Sequence, residues 1–503
     1  MKKAGKVIRR IICAVLILFG IICLASEIWY KVIYGDTGFA SILYTFVSGI
    51  GGTAQSLIYN YLVWVLPISI GAAAIFYIII WFPFRSREKK LKLKAKGKFR
   101  LFPFNEAVSV VISVLLSVSL VLSAMWDVGF FEWYKVMNSN TDFYEKEYKD
   151  PATVDISFEG EKRNLVYIFM ESMEITYMSE KRGGAEQYNL IPELYNLAVQ
   201  NTNFSKSNGV GGWSHTSNTS WTVASLVAQT AGIPLNVPIN GNTYGENANN
   251  FLPGAYTMME ILKSKGYYQT IMMGSDSNFA GRKKYFEQHG INKVYDLYTA
   301  RESKIIPNNY YKWWGFEDKY LYKYAKQELT EVAKLGTPFS FMMLTADTHH
   351  IGGYYCSKCK KSKSGEQYDS VISCASRQVY SFIKWLEKQD FYKNTTIVIC
   401  GDHNSMDNEY FSRRIKSGYE RQVYNCIINP AVKAENSTKG RTITPMDMFP
   451  TTLAAVGATI EGNRLGLGVN LFSKLPTLAE RYGMEEFNAQ LGGNIKYYMK
   501  EFM

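Results

Sequence analysis

Residues 165–172 read LVYIFMES, a run of six apolar residues that ends in the polar pair Glu171 and Ser172. Two other stretches have the same form: FSFMMLT at 339–345 runs into ADTHH, and TTIVIC at 395–400 runs into GDHN. Short apolar runs of this length, bounded by polar residues, are typical of strands that are buried on both faces. Each stretch therefore predicts a strand with acidic or histidine residues just beyond its carboxyl end.

Helical patterns separate these strands from one another and from two further strand candidates, at 268–273 and 422–428. The predicted helices lie near 191–200, 222–231, 255–265, 279–288, 316–334, 367–388 and 445–456. Strands that alternate with helices of this length indicate an α/β domain, in which helices cover both faces of a mostly parallel sheet. In such sheets the ligand site forms beyond the carboxyl ends of the strands, so functional residues are expected at that edge.

The polar residues at these strand ends share a common chemistry. Carboxylate and imidazole groups come from three separate runs: Glu171, Asp347, His349, Asp402 and His403. If the runs lie in one sheet the groups converge, and together they suit a divalent cation such as Mn²⁺, Zn²⁺ or Mg²⁺. One Asp-His pair alone would be a weak indication, because such pairs often simply end a strand. Three strand ends together predict a metal site.

A second chemical feature is the segment 209–222, GVGGWSHTSNTSWT, which is rich in glycine and hydroxyl residues and passes into the helical run VASLVAQTAG. A hydroxyl at such a helix start lies in the positive field of the helix N-terminus, beside free backbone N–H groups that can hold an anion. An ordinary Ser or Thr N-cap is the alternative interpretation. A hydroxyl whose pKa is lowered by a cation is a good nucleophile for phosphorus, which favours a catalytic role.

Three long apolar segments precede this domain. They lie between Arg10 and Glu27, near 61–83, and at 107–126, and each is close to the roughly 20 residues that cross a bilayer. The first could instead be a signal peptide, but it lacks a good small-residue cleavage pattern. We interpret the three segments as uncleaved transmembrane helices, and 37–58 as an interfacial or re-entrant piece.

The net charge of +12 is local. Residues 2–10 carry five basic side chains and residues 85–100 carry nine against one acid, so the rest of the chain is close to neutral. Basic stretches beside membrane helices stay in the cytoplasm, which places everything after about Asp127 outside. We therefore predict a multi-pass protein of the plasma (cytoplasmic) membrane with an extracytoplasmic catalytic domain. Because the basic stretches act as topology signals that also attract anionic lipids, no nucleic-acid partner is expected.

Three cysteines of the predicted outer domain lie close together in the sequence: Cys356, Cys359 and Cys374. In an oxidising compartment one disulfide among them is plausible. A zinc site built from the three cysteines and His350 is the alternative, although the stretch CSKC has no second CxxC partner.

The motifs together carry a resemblance to a known family. Five segments resemble the sulfatase-fold phosphoglycerol transferases: ESME at 171, WTVASLVAQTAGIPL at 221, FAGRKKYFEQHG at 279, LTADTHH at 344 and GDHN at 401. The pattern is most similar to the phosphoglycerol transferase I branch, with lipoteichoic acid synthase as a more distant relative. The resemblance implies an alkaline phosphatase/sulfatase-like catalytic domain at 161–503, joined by a linker at 128–160 to a membrane anchor at 1–127.

The resemblance also implies roles for individual residues. One divalent ion, usually Mn²⁺ in this family with Zn²⁺ or Mg²⁺ as alternatives, would be held by four residues: Glu171, Thr222, Asp402 and His403. Thr222 would be the nucleophile, since the match aligns on the pair Trp221-Thr222. Neighbouring hydroxyl residues that could be mistaken for it are Thr219, Ser220 and Ser225. Arg282 matches the position that grips the phosphoglycerol headgroup, a task that suits a bidentate guanidinium.

The remaining histidines are expected to have different roles. His349 matches a histidine beside the phosphoryl group and is a candidate proton shuttle as well as a substrate contact. His350 is included as a substrate-side residue because it adjoins His349. His215 is a weaker candidate that only its place in the loop suggests, and His289 is expected to be structural or at the surface.

The function implied by the resemblance is phosphoryl transfer in two steps. Thr222 would attack the phosphorus of phosphatidylglycerol and release diacylglycerol. A hydroxyl of a glycan or glycolipid acceptor would then take the glycerophosphate from the threonine, with His349 as a candidate to remove its proton.

Three other functions stay open at this point. Phosphoethanolamine transferases share the metal-and-threonine core but carry a further histidine after the GDH motif, whereas His403 is the last histidine in this chain. A sulfatase or phosphodiesterase would use water as the acceptor, and sulfatases need a Cys/Ser-x-Pro-x-Arg segment that Thr222-Val-Ala-Ser-Leu lacks. A non-enzymatic envelope scaffold is expected to have lost one of the four metal-site residues, and all four are present.

Overall fold

The computed structural model describes residues 2–35, 37–48, 55–81, 106–238, 244 and 249–503. The chain divides into two compact units: Met1–Phe39 with Thr53–Glu132, and Ala40–Gly52 with Trp133–Met503. The basic loop at 85–100, on which the predicted membrane topology depends, lies outside the described residues. The orientation of the chain in the membrane therefore stays a prediction.

The helices of the described residues are, in chain order, α1 (Lys2–Tyr34), α2 (Phe39–Ser48), α3 (Gln55–Trp81), α4 (Glu106–Asp127), α5 (Phe130–Met137), α6 (Phe143–Glu147), α7 (Pro192–Gln200), α8 (Thr222–Ala231), α9 (Met258–Ser264), α10 (Arg282–Gln288), α11 (Leu297–Glu302), α12 (Asp318–Ala333), α13 (Gln367–Leu386), α14 (Asn408–Ser412), α15 (Met448–Ala455), α16 (Leu478–Tyr482), α17 (Met484–Leu491) and α18 (Ile495–Phe502). The strands are β1 (Ile156–Phe158), β2 (Asn164–Met170), β3 (Gly212–Trp213), β4 (Tyr268–Met273), β5 (Lys293–Tyr295), β6 (Phe339–Leu344), β7 (Thr395–Gly401), β8 (Val423–Ile428), β9 (Ala458–Ile460), β10 (Arg464–Leu465) and β11 (Gly468–Val469).

The first unit contains three helices that are long and apolar enough to cross a membrane: Ala4–Tyr34, Leu57–Trp81 and Glu106–Asp127. Many of their large apolar side chains are exposed, as expected for surfaces that face lipid. Helix α1 packs against α3 and α4. At the α1–α4 contact the Ser117 hydroxyl donates to the Leu16 carbonyl at 2.7 Å, a small-residue contact typical of membrane helices. The predicted set of three apolar N-terminal helices is confirmed.

Helix α2 is apolar but only ten residues long. With a rise of about 1.5 Å per residue it is too short to cross roughly 30 Å of hydrocarbon. This agrees with the expectation that the segment does not form a further crossing. The residues from Gln55 onward belong to α3 rather than to that segment, and residues 49–54 lie outside the described part of the chain.

The second unit is organised around a seven-stranded sheet with the strand order β3-β8-β7-β2-β6-β4-β5. β2 is parallel to both of its neighbours, β6 and β7, and β4 is parallel to β5 and β6. At one edge β8 is antiparallel to β7, and the short β3 is antiparallel to β8. Two small antiparallel pairs, β1 with β9 and β10 with β11, lie outside this sheet.

The side chains of β2 show why the sheet is covered on both faces. Leu165, Tyr167 and Phe169 belong to one buried cluster with residues of α8 and α15, whereas Val166 and Ile168 belong to another with residues of α12 and α13. Successive side chains of a strand point to opposite faces, so a strand between two helical layers must be apolar throughout. The predicted α/β fold with a mostly parallel sheet between helical layers is confirmed.

The predicted elements are found with ends shifted by a few residues. The short strands β1, β9, β10 and β11 were not predicted, nor were two strands of the main sheet, β3 and β5. These two strands have two and three residues, so they carry no recognisable periodicity. Their positions are set by pairing with β8 and β4 rather than by their own composition.

We predict that Gly401→Ala destabilises the catalytic unit. Gly401 ends β7, and a Cβ atom added there would lie 2.1 Å from the carbonyl oxygen of Met173, so backbone would have to move. The free energy of unfolding should fall by about 1–3 kcal/mol, the usual effect of overpacking. Thermal unfolding of the full chain in detergent measures this. The control is Gly209→Ala, whose added Cβ would have no neighbour closer than 3.9 Å, and equal melting temperatures for the two variants would contradict the prediction.

Candidate active site

The site lies at the carboxyl ends of two neighbouring parallel strands. Met170 of β2 pairs with Gly401 of β7, so the next residues, Glu171 and Asp402, leave the sheet side by side. Thr222 is the first residue of α8, a helix that packs on the sheet through the buried cluster described above. The fold thus brings together residues that are far apart in the sequence.

The distances show one compact cluster. The Thr222 hydroxyl lies 3.4 Å from Glu171 Oε2 and 3.2 Å from His403 Nε2. His403 Nε2 lies 3.6 Å from Glu171 Oε1 and 3.4 Å from Asp402 Oδ2. Glu171, Asp402 and His403 are buried, whereas Thr222 is half-buried and so can meet a substrate. The structure therefore places all four residues of the predicted metal set around one point.

The carboxylates are held by specific hydrogen bonds. Asp402 Oδ1 accepts from the backbone N–H groups of Ser172 and His403, each at 2.8 Å. The Ser172 hydroxyl donates to Glu171 Oε1 at 2.6 Å. Ser172 has a φ of 53°, an uncommon conformation for a residue with a side chain, and both of these bonds depend on this turn. Asp402 Oδ2 is buried and has no hydrogen-bond partner among the described residues.

The tautomer of His403 determines which ring nitrogen can bind a cation. Its Nδ1 lies 2.8 Å from the Asn404 carbonyl oxygen and therefore carries the hydrogen, which leaves the Nε2 lone pair facing the cluster. Two carboxylates and an imidazole lone pair then face one another in a buried space, an arrangement that needs a positive charge between them. Carboxylate oxygen, imidazole nitrogen and a hydroxyl fit a divalent cation such as Mn²⁺, Zn²⁺ or Mg²⁺.

The proton affinities of the site residues reflect the same electrostatics. Burial and the charge of Glu171 raise the pKa of Asp402 to about 7. Burial disfavours the charged form of His403, but the carboxylates of Asp402 and Glu171 outweigh it and raise the pKa of the imidazole. A cation that binds Asp402 and His403 therefore competes with protons for these two residues.

The turn after His403 is supported by residues that the sequence analysis did not single out. Arg421 donates from Nε to Glu174 Oε2 at 2.8 Å and from Nη2 to the Ser405 carbonyl at 2.7 Å. Glu174 Oε1 in turn accepts from the Ser405 backbone N–H at 3.0 Å. This partly buried ion pair fixes the backbone just beyond the metal set. No local pattern could have found it, since Glu174 and Arg421 are far apart in the chain.

His215 has a positioning role rather than a direct contact with the cluster. Its Nε2 accepts from the backbone N–H of Asn404 at 3.0 Å. Burial, followed by the charges of His403 and Arg421, lowers the pKa of His215 to about 3, so the ring stays neutral and can accept this bond. His215 therefore helps to hold the turn that carries His403.

Two of the three hydroxyl residues that could be mistaken for Thr222 are engaged elsewhere. The Ser225 hydroxyl accepts from Gln229 Nε2 at 2.9 Å, and the Thr219 hydroxyl bonds to Thr216 at 3.0 Å. Gln229 also donates to the Gly401 carbonyl at 3.2 Å, which ties α8 to the end of β7. Thr222 is thus the hydroxyl that contacts Glu171 and His403.

Arg282, His349 and His350 lie close enough to the cluster for its charged groups to affect their pKa values. Arg282 is buried and donates from Nε to the Phe279 carbonyl at 3.1 Å and from Nη2 to the Asp276 carbonyl at 2.6 Å. Burial lowers the pKa of His349, while the charge of Glu171 opposes and that of Arg282 reinforces this effect. Burial, with the nearby His349 and His403, also lowers the pKa of His350. Both imidazoles are therefore neutral near pH 7.

Asp347, which was expected to converge with the metal set, is instead turned towards the start of α12. Its Oδ1 accepts from the Asp318 backbone N–H at 3.2 Å, and its own backbone N–H donates to Asp318 Oδ2 at 3.0 Å. Burial raises the pKa of Asp318 to about 7 and that of Asp347 as well. The Asp347 carboxylate thus caps a helix and stays outside the cluster of Glu171, Asp402 and His403.

A sulfatase family model matches residues 163–458 of the chain, which include every residue of this cluster. The chain belongs to the sulfatase family. It is 32% identical over 268 residues to phosphoglycerol transferase I of Escherichia fergusonii, with 52% of this chain and 33% of that protein covered. It is 28% identical over 440 residues to phosphoglycerol transferase I of Escherichia coli O81, with 86% and 53% covered. The chain thus spans about half or less of the length of these curated relatives.

A solved structure also resembles this member of the sulfatase family. The integral membrane protein lipooligosaccharide phosphoethanolamine transferase A (EptA) from Neisseria meningitidis superposes with a TM-score of 0.51 at 14% sequence identity, covering 89% of this chain and 84% of that one. The likeness shows a shared fold.

Tyr44 of α2 is a neighbour of the site that nothing in the sequence indicated. Its hydroxyl donates to the Ala280 carbonyl at 2.6 Å, two residues before Arg282. Its ring lies 5.5 Å from the ring of Trp221, the residue before Thr222. The sequence around Tyr44 is an ordinary apolar run, so only the tertiary structure could place it beside this sulfatase-family site.

His289 takes no part in the site. It is buried, with Nδ1 3.0 Å from Glu260 Oε2 and Nε2 3.0 Å from the Phe251 carbonyl oxygen. Of the two roles expected for it, the structural one applies.

We predict that Mn²⁺ binding weakens as the pH falls from 8 to 6. Asp402 and His403 must both lose their protons to bind a cation, and the pKa of each is raised, so protons compete more strongly below about pH 7. The apparent affinity should fall by about tenfold per pH unit for each proton displaced. Calorimetric titration of the full chain in detergent measures this.

Two variants control this measurement. Asp402→Asn should abolish binding at both pH values. Asp447→Asn should leave it unchanged, because Asp447 is an equally buried carboxylate that accepts from the backbone N–H groups of Thr444 and Val469. An affinity that does not change between pH 6 and 8 would contradict the assignment of Asp402 and His403 as ligands.

Proposed function

We propose that this chain is a membrane-anchored phosphoglycerol transferase. It transfers glycerophosphate from phosphatidylglycerol, through a covalent intermediate on Thr222, to a hydroxyl of a glycan or glycolipid acceptor. The sequence relatives named phosphoglycerol transferase I support this class of reaction. We further propose a membrane anchor at 1–127, a linker at 128–160 and an extracytoplasmic catalytic domain at 161–503.

The observation that carries the proposal is the position of the Thr222 hydroxyl. It lies 3.4 Å from Glu171 and 3.2 Å from His403, at the first residue of a ten-residue helix. Backbone N–H groups at a helix start, together with the helix dipole, favour a phosphate at this point. A hydroxyl between a cation-binding cluster and a phosphate-binding helix end is placed as a phosphorus nucleophile.

The residues present fit a divalent cation, because Asp402 Oδ2 is buried without a hydrogen-bond partner among the described residues and faces His403 Nε2. The cation would be held by Glu171, Thr222, Asp402 and His403. We take Mn²⁺ as the ion to test first, with Zn²⁺ and Mg²⁺ as alternatives. When bound, such an ion lowers the pKa of a hydroxyl ligand and stabilises negative charge on phosphoryl oxygens.

In the first step Thr222 Oγ1 forms a bond to phosphorus and the bond from phosphorus to the diacylglycerol oxygen breaks. Diacylglycerol leaves with a proton in place of the one that Thr222 loses, so the step balances. Arg282 would pair with the headgroup phosphate or glycerol. Its guanidinium is fixed by bonds to the Phe279 and Asp276 carbonyls, so little side-chain entropy is lost on binding.

In the second step the acceptor hydroxyl attacks the phosphorus and the bond to Thr222 Oγ1 breaks, which restores the threonine. His349 is suited to take the acceptor proton. Its Nδ1 lies 2.8 Å from the His350 carbonyl oxygen and so carries the hydrogen, which leaves Nε2 as a base. The ring is held between Trp314 and His350, each with its ring centroid 4.4 Å away.

We predict that Thr222→Ala lowers diacylglycerol release from labelled phosphatidylglycerol by at least about a thousandfold, because no nucleophile remains. Mass spectrometry of the wild-type chain should show a glycerophosphate adduct on Thr222. The matched control is Ser225→Ala, which removes a hydroxyl of the same helix that bonds only to Gln229 among the described residues and should keep both the adduct and the turnover.

The same assay separates the alternatives for the donor. Phosphatidylethanolamine labelled in the headgroup should give no adduct if the chain is a phosphoglycerol transferase. An adduct from that lipid alone would support a phosphoethanolamine transferase, and full activity of Thr222→Ala would exclude the covalent route.

We predict that His349→Gln slows the second step more than the first. Removal of a general base typically slows the step that it serves by about 10²- to 10⁴-fold. Here the slowed step should be transfer to the acceptor. A rapid burst of diacylglycerol followed by slow turnover, with adduct accumulating on Thr222, is the expected result. Added imidazole should restore part of the rate. Equal loss in the burst and in turnover would contradict the assigned role.

A further inference from the structure

Outside the active site, the described residues contain a second group of side chains that could ligate a metal. Cys356 and Cys359 lie in the loop before α13, and Cys374 lies two turns inside that helix. Their sulfur atoms all lie within 4.8 Å of one another. Cys356 and Cys374 are buried, whereas Cys359 is half-buried.

The separations of the sulfur atoms match a tetrahedral metal site. Cys356 Sγ lies 3.7 Å from Cys359 Sγ and 3.9 Å from Cys374 Sγ. With Zn–S bonds of about 2.3 Å and tetrahedral angles, two sulfur ligands of one zinc ion lie about 3.8 Å apart. All three sulfur atoms lie within 4.8 Å of one another, as three ligands of one ion would, whereas a single disulfide would pair two of them and leave the third aside.

A hydrogen-bond donor and a tight turn also lie at the sulfur atoms. The Cys359 backbone N–H donates to the Cys356 carbonyl at 3.0 Å, which closes a turn between the two cysteines. Gln378 is more than nine-tenths buried, and its Nε2 lies 3.6 Å from Cys374 Sγ. Its Oε1 is buried with no hydrogen-bond partner among the described residues. Donors of this kind orient thiolates towards a metal.

The charge around the cluster suits thiolates. Three thiolates and one divalent ion carry a net charge of −1. A cavity of about 170 Å³ adjoins Cys374, and three basic side chains line it: Lys326, Lys358 and Arg377. These cations offset the charge of the ligand set. The cavity also leaves room for a water molecule as a fourth ligand.

We propose that Cys356, Cys359 and Cys374 bind one Zn²⁺ ion with a structural role. Soft thiolate ligands in a tetrahedral arrangement favour zinc over the harder ions that suit the active site. The bound ion would tie the loop that follows His349 and His350 to α13. The proposal does not depend on the transfer reaction, because no residue of the active site takes part.

The test uses the full chain, purified in detergent with reductant and loaded with Co²⁺ in place of Zn²⁺. Thiolate ligands give bound Co²⁺ an intense near-ultraviolet charge-transfer absorption, which carboxylate and imidazole ligands do not give. We expect the wild type to show this absorption. Cys359→Ser and Cys374→Ser should each lose it, and each should bind one equivalent of zinc less than the wild type. Cys359 is the least buried of the three, so its variant disturbs the core least.

Matched variants separate this site from the active site. Cys23→Ser removes a thiol of α1 and should keep the absorption. Asp402→Asn should lose Mn²⁺ binding but also keep the absorption, so the two metal sites can fail independently. Absence of the absorption in the wild type, its survival in both Cys359→Ser and Cys374→Ser, or a disulfide among the three cysteines in a chain isolated without reductant would overturn the proposal.

Discussion

The repulsion between two buried carboxylates and one imidazole lone pair is the constraint on which the site depends. Glu171, Asp402 and His403 face one another within 4.8 Å and are almost fully buried. Such a group is stable only with a proton or a cation at its centre, and the pKa values of Asp402 and His403 are raised accordingly. The surrounding structure holds this strained group together. The Ser172 turn fixes both carboxylates, and the pair of Glu174 and Arg421 fixes the turn after His403.

Features that are local in the sequence could be predicted from it. β2, β6 and β7 are continuous apolar runs, and Glu171, Asp402 and His403 lie just beyond the carboxyl ends of β2 and β7, so a parallel sheet brings those three residues together. Features that depend on the orientation of a side chain could not be predicted. Asp347 also follows a strand, but its carboxylate caps α12 instead of joining the cluster.

Other features depend on contacts between distant parts of the chain. Thr222 and Ser225 both carry a hydroxyl in α8, and only the hydrogen bonds of Gln229 to Ser225 and to the Gly401 carbonyl distinguish them. Tyr44, Glu174 and Arg421 have no local signature, since each acts through a partner far along the chain. The sequence left both a disulfide and a zinc site open for the three cysteines, because sequence spacing says nothing about the distances between sulfur atoms.

The three apolar helices, acting as a membrane anchor, would raise the effective concentration of a lipid donor, which fits the proposed reaction.

Anomalous diffraction from Mn²⁺-loaded crystals of the full chain tests the central claim most directly. We expect one anomalous peak at about 2.0–2.2 Å from oxygen or nitrogen atoms of Glu171, Thr222, Asp402 and His403. A manganese peak that lies elsewhere, or one whose coordination omits Thr222 or either carboxylate, would contradict the assignment of these four residues to a single cation.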